Sequence, residues 1–373
     1  MRVGIDISPI TATRTGVGNY CYYLLKSMAA LAPEIQFAGF SSGSARVQLG
    51  PLKDRVTHRH IPLPTRALYA LWAALGSPKV DTFLGGVDVY HATNYVLAPT
   101  KRARRVVTIH DLSFLIVPEL CSPKIRRIFA RGIRGFAHEA DAILVYSQST
   151  KNDLVRLLDA DPATITVAPI AVDEQFGPIP REQAVAQLAQ LYDLRPPFIL
   201  FVGTLEPRKN VPTVLRAFAR LAKEIPHQLV LVGGVGWNAE PIFKTIEELN
   251  LNSRVTHVGF VPTYEHLPLF YSAADAFVFP SHYEGFGLPV LEAMACGCPV
   301  VTANNSSLPE VAGDAALYAA ADDVDGLAQA IRKVLTDLSL SQRLRTRGID
   351  RARTFSWRRC AETTLALYRS LSD

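Results

Sequence analysis

The run AFVFP at residues 276–280, followed directly by SHYEGFGLPVLE at 281–292, decides how this chain should fold. Its five apolar or small residues predict a buried strand, and the turn after them leads into a helix that Pro289 suits in its first turn. Gly285 and Gly287 allow the backbone to approach a ligand closely at the helix N-terminus. The stretch therefore predicts one strand–turn–helix unit with an open, ligand-accessible turn.

The same kind of unit recurs along the whole chain. Short apolar runs, separated by several helical patterns, occur at 2–7, 87–90, 105–109, 142–146 and 165–168, and again at 198–203, 228–233, 254–258, 276–280 and 299–303. This alternation predicts parallel sheets covered by helices on both faces. A proline-rich stretch at 172–197 separates the two series, and 373 residues exceed what one core usually supports. We predict two doubly wound α/β domains, residues 1–172 and 173–354.

The overall composition excludes several classes of protein. With 49% hydrophobic and 20% charged residues, the chain does not resemble a disordered protein. Its five cysteines form no CxxC pair, which argues against structural zinc and favours a reducing compartment. It lacks the features of a signal peptide and any apolar run long enough to span a bilayer, so we expect a cytoplasmic protein.

Positive charge is concentrated in the first half. Residues 1–172 carry 20 Lys and Arg against 12 Asp and Glu, whereas residues 173–373 carry 19 against 22. Such a surface can bind a membrane that carries a lipid-phosphate substrate, or nucleic acid. We predict an amphipathic helix over 124–134 on the inner face of the membrane, with a solvated helix face as the alternative. The basic residues involved are Lys124, Arg126, Arg127, Arg131 and Arg134, together with Lys101, Arg102, Arg104 and Arg105.

Two carboxylates lie in and just behind the glycine-rich turn. Glu284 is in the turn, and Glu292 lies about one turn inside the following helix. Each carboxylate can accept paired hydrogen bonds from vicinal hydroxyls, as on a hexose or a ribose. The alternative is that Glu284 is a solvated turn residue and that Glu292 is a charge that complements the helix dipole.

Two adjacent cations follow the first strand of the second series. The run GTLEPRKN at 203–210 places Arg208 and Lys209 at the carboxyl end of that strand. Arg208 can bind a diphosphate through its guanidinium fork and Lys209 as a point charge, so a divalent metal would be unnecessary. The alternative is a solvated basic loop.

Strand ends in the first half carry further candidates. His110 and Asp111 follow the run 105–109, and His110 could hydrogen-bond a sugar hydroxyl or could be structural. Gly16 and Gly18, in RTGVGNY at 14–20, are predicted to let a turn approach a phosphate or the acceptor. A dinucleotide fingerprint is disfavoured because Cys21 stands where a third glycine is required. Three further residues at strand ends are candidates to contact the substrate, with ordinary turn residues as the alternative: Asn94, Tyr95 and Ser147.

The spacing Glu284-x7-Glu292 resembles the E-x7-E motif of glycosyltransferase family four. The retaining enzymes of this family have the GT-B fold, in which two Rossmann-like domains face each other across a cleft. The resemblance extends over nearly the whole chain and implies that a closing helix at 355–373 packs on the first domain. It implies that Glu284 contacts the transferred sugar, that Glu292 contacts the donor ribose, and that Arg208 and Lys209 contact the donor phosphates. It further implies donor contacts at His110, Val261, Gly285, Phe286, Gly287 and Leu288, with Asp111 near the acceptor. Ser307 opens a short helix in the sequence, and we expect this helix start to offer N–H groups to the phosphates.

The runs HATNY at 91–95 and IHDLSF at 109–114 most resemble bacterial mannosyltransferases of surface-polysaccharide assembly. We therefore expect transfer of a hexose, with GDP-mannose favoured over a UDP-sugar, to a glycan or lipid-linked saccharide. No cofactor, metal ion or nucleic acid partner is expected. The alternatives are a nucleotide-sugar epimerase of similar fold and a nucleotide-binding module without turnover.

Overall fold

A computed structural model describes residues 1–12, 16–44, 46–130, 132–261 and 264–372, without the side chain of Ile125. The chain forms two compact units. The first consists of Met1–Leu112, Lys124–Ile170 and Ser356–Asp373, and the second consists of Ser113–Pro123 and Ala171–Phe355. The segment Ser113–Pro123 was expected with the first domain; it contains no strand that could join the first sheet.

The first unit is built on a parallel sheet with seven strands in the described residues. The strands are β1 (Arg2–Asp6), β2 (Gln36–Ser42), β3 (Val56–Ile61), β4 (Val89–Ala92), β5 (Arg104–Thr108), β6 (Ala142–Val145) and β7 (Ile165–Val167). Their order is β3-β2-β1-β4-β5-β6-β7. The chain leaves β1 in one direction and continues from β4 in the other, which makes a topological switch point between these two strands.

The second unit repeats this plan with six described strands. They are β8 (Phe198–Val202), β9 (Gln228–Val232), β10 (Val255–Gly259), β11 (Ala276–Phe279), β12 (Val300–Ala303) and β13 (Ala316–Ala319), in the order β10-β9-β8-β11-β12-β13. All neighbours are parallel. The switch point lies between β8 and β11, whose side chains are fully buried as their apolar runs predict.

Helices connect the strands in both units. They are α1 (Gly16–Leu31), α2 (Thr65–Leu75), α3 (Val80–Phe83), α4 (Ser113–Ile116), α5 (Pro123–Phe129), α6 (Ile133–Glu139), α7 (Gln148–Leu158), α8 (Arg181–Tyr192), α9 (Val211–Leu221), α10 (Glu240–Glu248), α11 (Leu267–Ala273), α12 (Leu288–Ala295), α13 (Leu308–Ala312), α14 (Val324–Thr336), α15 (Leu338–Arg353) and α16 (Trp357–Ser372). In the described parts of the chain, no helix combines the length and apolar character that a bilayer crossing requires.

The last helix, α16, belongs to the first unit and packs against α1. Its buried residues recur at helical spacing, among them Cys360, Thr364 and Tyr368. The Tyr368 hydroxyl lies 2.6 Å from Nδ1 of His91, and Nε2 of His91 lies 2.7 Å from the Thr108 hydroxyl. This buried network joins α16 to β4 and β5.

All ten predicted strands are present, but β2, β3 and β13 were not predicted. The sequence of β3, VTHRHI, has one fully buried residue and four exposed ones because it is an edge strand. It therefore lacks the apolar run that marks the central strands. The short β13, ALYA, has a composition equally suited to a helix.

Candidate active site in the second unit

The loops after β8 and β11 meet at the switch point of the second sheet. The Arg208 carbonyl accepts a hydrogen bond from the His282 amide at 2.9 Å and lies 3.0 Å from the Ser281 hydroxyl oxygen. Asn210, in a left-handed conformation with φ of 57°, donates through its side chain to the Pro280 carbonyl at 3.2 Å. These bonds hold the two loops together at the sheet edge where ligands of doubly wound folds bind.

Two cations and two carboxylates form one cluster on these loops. The Lys209 ammonium lies 2.6 Å from Oε1 of Glu284, and Nη1 of Arg208 lies 3.2 Å from the same oxygen. Nη2 of Arg208 lies 2.9 Å from Oε1 of Glu206. All four side chains are at most 20% exposed. The structure thus brings together the sequence-predicted residues Arg208, Lys209 and Glu284, and adds Glu206.

The charges in this cluster change each other's proton affinity. Burial acts to raise the pKa of Glu284, but Lys209, Arg208 and hydrogen bonds from Lys209 and Ser281 lower it to about 2. Burial and the neighbouring Arg208 lower the pKa of Lys209, while Glu284 acts in the opposite direction. Glu284 is therefore an anion at neutral pH, suited to accept hydrogen bonds and not to donate a proton.

The glycine-rich turn between Glu284 and α12 is held in place by its backbone. The Glu284 amide donates to the Ser306 hydroxyl at 3.1 Å, and the Ser307 hydroxyl donates to the Glu284 carbonyl at 2.9 Å. Gly287 precedes α12 with φ of 98°, and a Cβ there would lie 2.7 Å from Cδ2 of Leu308. The side chain of Ser307, which the sequence placed near the phosphates, anchors this turn. Gly285, Phe286 and Leu288 complete the turn and the start of α12.

Glu292 lies on the buried side of α12. Its two carboxylate oxygens accept hydrogen bonds from the hydroxyls of Tyr264 and Tyr271, the latter at 2.8 Å. Burial raises the pKa of Glu292, and the two hydrogen bonds partly offset this effect. A ribose hydroxyl at Glu292 would add to these bonds or displace one of them. Its contact with ribose stays a prediction.

In the first unit, His110 follows β5 and is buried. Its Nδ1 lies 2.5 Å from the Tyr146 hydroxyl, whereas its buried Nε2 has no hydrogen-bond partner among the described residues. Burial lowers the pKa of His110 to about 4, with Asp111 acting in the opposite direction. The imidazole is therefore neutral at pH 7.

Tyr95 supports His110 directly. The two rings lie 5.1 Å apart, and the Tyr95 hydroxyl accepts a hydrogen bond from the Asp111 amide at 3.1 Å. Tyr95 itself has φ of 55°, a conformation that is uncommon outside glycine. Asn94, just before it, is half-buried.

The structure shows the local setting of the remaining predicted residues. Gly16 and Gly18 were expected in a turn, but both lie in the first turn of α1, and a Cβ on Gly16 would meet no other atom. Ser147 caps α7 by accepting a hydrogen bond from the Thr150 amide at 3.1 Å. Val261 is buried just after β10. Arg14 and Thr15 beside these glycines, and Pro262 after Val261, lie outside the described residues.

The predicted single helix over 124–134 is wrong. Two short helices, α5 and α6, replace it, and Arg131 lies outside the described residues. Three of the basic side chains are paired: Arg104 with Asp141, Arg105 with Glu139 and Arg134 with Asp159. The exposed basic residues of α5 are Lys124, Arg126 and Arg127.

Several residues of these sites are not predicted from the sequence: Glu206, Ser281, Tyr264, Tyr271 and Tyr146. Of these five residues, only Ser281 could have been predicted as a site residue, because it directly follows a predicted strand. The tyrosines reach Glu292 and His110 from elements 21 to 36 residues away in sequence. Within the ranges that the structure describes, no three His, Cys, Asp or Glu side chains are grouped so that they could hold a metal ion.

Two family models match the chain. "Glycosyltransferase Family 4" matches residues 14–176, and "Glycosyl transferases group 1" matches residues 183–351. O-antigen chain mannosyltransferase B of Escherichia coli is 33% identical over 389 residues, covering 100% of both chains. Serotype-specific mannosyltransferase WbdA of Escherichia coli is 31% identical over 77% of this chain, which spans 36% of that longer protein.

Solved structures share the fold over nearly the full length. Sucrose-phosphate synthase from Thermosynechococcus elongatus has a TM-score of 0.79 at 24% identity, with 100% of this chain and 99% of that chain covered. HepE from Anabaena, in complex with UDP-glucose, has a TM-score of 0.75 at 18% identity, with 99% and 100% covered. At these identities the likeness shows the fold, a pair of Rossmann-like domains.

Proposed function

Because the chain belongs to glycosyltransferase family four, we propose that it transfers mannose from GDP-mannose to a glycan or lipid-linked saccharide, with retention of the anomeric configuration. The observation that carries this proposal is the cluster of Arg208, Lys209 and Glu284 at the switch point of the second sheet. Anion-binding and hydroxyl-binding groups stand side by side there, as a sugar diphosphate requires.

Arg208 and Lys209 are suited to stabilise the diphosphate leaving group. When the bond between the sugar and the diphosphate breaks, negative charge grows on the phosphate, and fixed positive charge in a buried site stabilises it. Arg208 and Lys209 are held by Glu206 and Glu284 before any ligand binds, so little reorganisation is needed. We therefore propose that the reaction needs no divalent metal.

Glu284 is suited to orient the sugar and poorly suited to attack it. Its Oε1 already faces Lys209, Arg208 and the Ser281 hydroxyl, and its lowered pKa marks a stabilised, weakly nucleophilic anion. This arrangement supports a front-face reaction in which the leaving phosphate takes the acceptor proton. A contact between a saccharide and His110 in the first unit stays a prediction, because Nε2 of this imidazole is buried.

The proposed donor sugar, mannose, and the proposed donor base, guanine, are supported by relatives and by one exposed aromatic residue. The full-length relative at 33% identity is named a mannosyltransferase, whereas a structural neighbour binds UDP-glucose. Phe260, directly after β10, is 60% exposed, and a Cβ on Gly234 would lie 3.8 Å from its Cβ. An exposed aromatic ring at a strand end offers a surface on which a planar base can stack.

A donor panel tests this function. GDP-mannose, GDP-glucose, UDP-glucose and UDP-N-acetylglucosamine are compared by thermal shift and by release of nucleoside diphosphate, with and without a mannan-type acceptor. We expect GDP-mannose to stabilise the folded protein most, by about 2.7 kcal/mol at a concentration of a hundred times its Kd. We also expect the acceptor to accelerate release of the nucleoside diphosphate. Release of an altered sugar without acceptor would identify an epimerase. Binding without release would identify a non-catalytic module.

We expect activity to survive a chelator. Sugar transfer is measured in saturating EDTA and again with added Mg²⁺ or Mn²⁺, and the rates should agree within about twofold, because Arg208 and Lys209 meet the phosphate charge. Loss of activity that Mg²⁺ restores would contradict the metal-free mechanism.

We also propose peripheral attachment to an anionic membrane through α5. Replacing Lys124, Arg126 and Arg127 with glutamine should weaken binding to vesicles containing phosphatidylserine roughly a hundredfold, at about 1 kcal/mol per charge. The control replaces three exposed lysines of the second unit, Lys223, Lys244 and Lys333. Equal binding by both triple variants would remove this proposal.

A further inference from the structure

A groove of about 630 Å³ opens at the edge of the first sheet, beside the carboxyl ends of β2 and β3. Ser44, Arg46, His58 and His60 are among the residues that line it. None of the described lining residues is acidic. The groove is therefore electropositive, and it shares no residue with the cluster around Arg208.

A buried hydroxyl orients both imidazoles of the groove. Ser41, which is fully buried, lies with its Oγ 2.7 Å from Nε2 of His58 and 2.9 Å from Nδ1 of His60. Ser41 and His60 are partners in the sheet register, and His58 lies two residues earlier on the same face of β3. The outer nitrogens, Nδ1 of His58 and Nε2 of His60, have no hydrogen-bond partner among the described residues.

The hydrogen bonds of Ser41 determine whether each outer nitrogen is a hydrogen-bond donor or acceptor. If its hydroxyl donates to one ring and accepts from the other, one outer nitrogen carries a proton and the other a lone pair. Protonation of that second ring would give two outward donors. Even without protonation the pair offers one outward donor beside a guanidinium. This arrangement matches an oxyanion better than a metal ion, because the charge of Arg46 would repel a cation.

Arg46 adds a cation without a counter-charge. It is exposed and forms no ion pair or hydrogen bond with any described residue. Burial and the neighbouring His60 lower the pKa of His58, so this imidazole is neutral at pH 7 and Arg46 supplies the positive charge that an anion meets. Helix α2 also begins beside the groove, after Pro64, without a side-chain cap, so its positive end faces the same region.

We propose that this groove binds a phosphate group, through Arg46 and the outer nitrogens of His58 and His60. The site is separate from the donor cluster and would give the first unit its own anion subsite. A soluble molecule and a lipid headgroup present the same phosphate oxygens, and the test below distinguishes these two sources.

Inorganic phosphate and vesicles containing phosphatidic acid are the two probes. The full chain with Arg208→Gln and Lys209→Gln is labelled with ¹⁵N-histidine, so that the donor cluster does not contribute, and the His58 and His60 signals are assigned with His58→Gln and His60→Gln. We expect a saturable shift of both signals at millimolar phosphate. Arg46→Gln should weaken binding about tenfold or more, as expected for one charge-assisted hydrogen bond.

Lys53→Gln provides the matched control, because Lys53 is exposed in the same unit and does not line the groove. It should leave phosphate affinity unchanged. Shifts with free phosphate assign a soluble ligand, and shifts only with phosphatidic acid vesicles assign a lipid phosphate. The proposal is overturned if neither probe shifts these two signals, if saturation needs molar phosphate, or if Arg46→Gln binds like Lys53→Gln. Failure of the donor panel would leave this outcome unaffected.

Discussion

Arg208→Gln should lower turnover by about a hundred- to a thousandfold, the loss typical when one group that stabilises a developing oxyanion is removed. The guanidinium lies beside Lys209 in the donor cluster, and a neutral amide cannot balance charge on the departing phosphate. Rates at saturating donor give kcat, and isothermal titration with nucleoside diphosphate gives the loss of ground-state binding. We expect both to fall, with the larger effect on kcat.

Folding must be measured alongside, because Arg208 also donates to the Tyr283 carbonyl at 2.8 Å and pairs with Glu206. Arg332→Gln is the matched control: Arg332 forms a partly exposed pair with Glu224 in the same unit, far from the donor loops in sequence. The control should keep full turnover. If Arg208→Gln loses folded protein in proportion to activity, Arg208 is a structural residue and the proposed role fails.

Glu284→Gln should have the second large effect, on both activity and stability. The variant keeps the shape of the side chain but leaves Lys209 and Arg208 without the buried anion that they share. We expect turnover to fall at least about a hundredfold because the sugar loses a charged acceptor. Unfolding free energy at pH 7 should fall by about 3 kcal/mol, given a pKa of about 2 against an ordinary 4.5.

The stability loss should depend on pH in a defined direction. Because the folded-state pKa of Glu284 is lowered, its contribution is complete above pH 4.5 and disappears as pH falls from 4.5 towards 2. The difference in unfolding free energy between the two proteins should therefore shrink over that range. Urea unfolding at several pH values measures it, with Glu224→Gln as the exposed control. A difference that stays constant down to pH 2 would contradict the assignment of the lowered pKa to Glu284.

Local patterns in the sequence predicted most individual elements, whereas contacts between elements distant in sequence had no local pattern to predict them. The apolar runs of β8 and β11 predicted buried strands, and the glycines after β11 predicted a turn where Gly287 indeed needs φ of 98°. The helix over 124–134 was wrong because its amphipathic pattern continued across a break between α5 and α6. Gly18 was placed in a turn because glycine is a turn signal, although α1 already begins at Gly16.

The sequence by itself determined the alternation of strands and helices, the two parallel sheets and the presence of Arg208, Lys209 and Glu284 at strand ends, because these features depend on neighbours a few residues apart. Only the tertiary structure decided that Lys209 contacts Glu284 across 75 residues, that tyrosines cover Glu292, and that Ser41 holds His58 and His60. Such contacts arise when the strand order of the sheet brings distant loops to one edge. Local sequence patterns predict single strands and helices but do not predict the order of the strands.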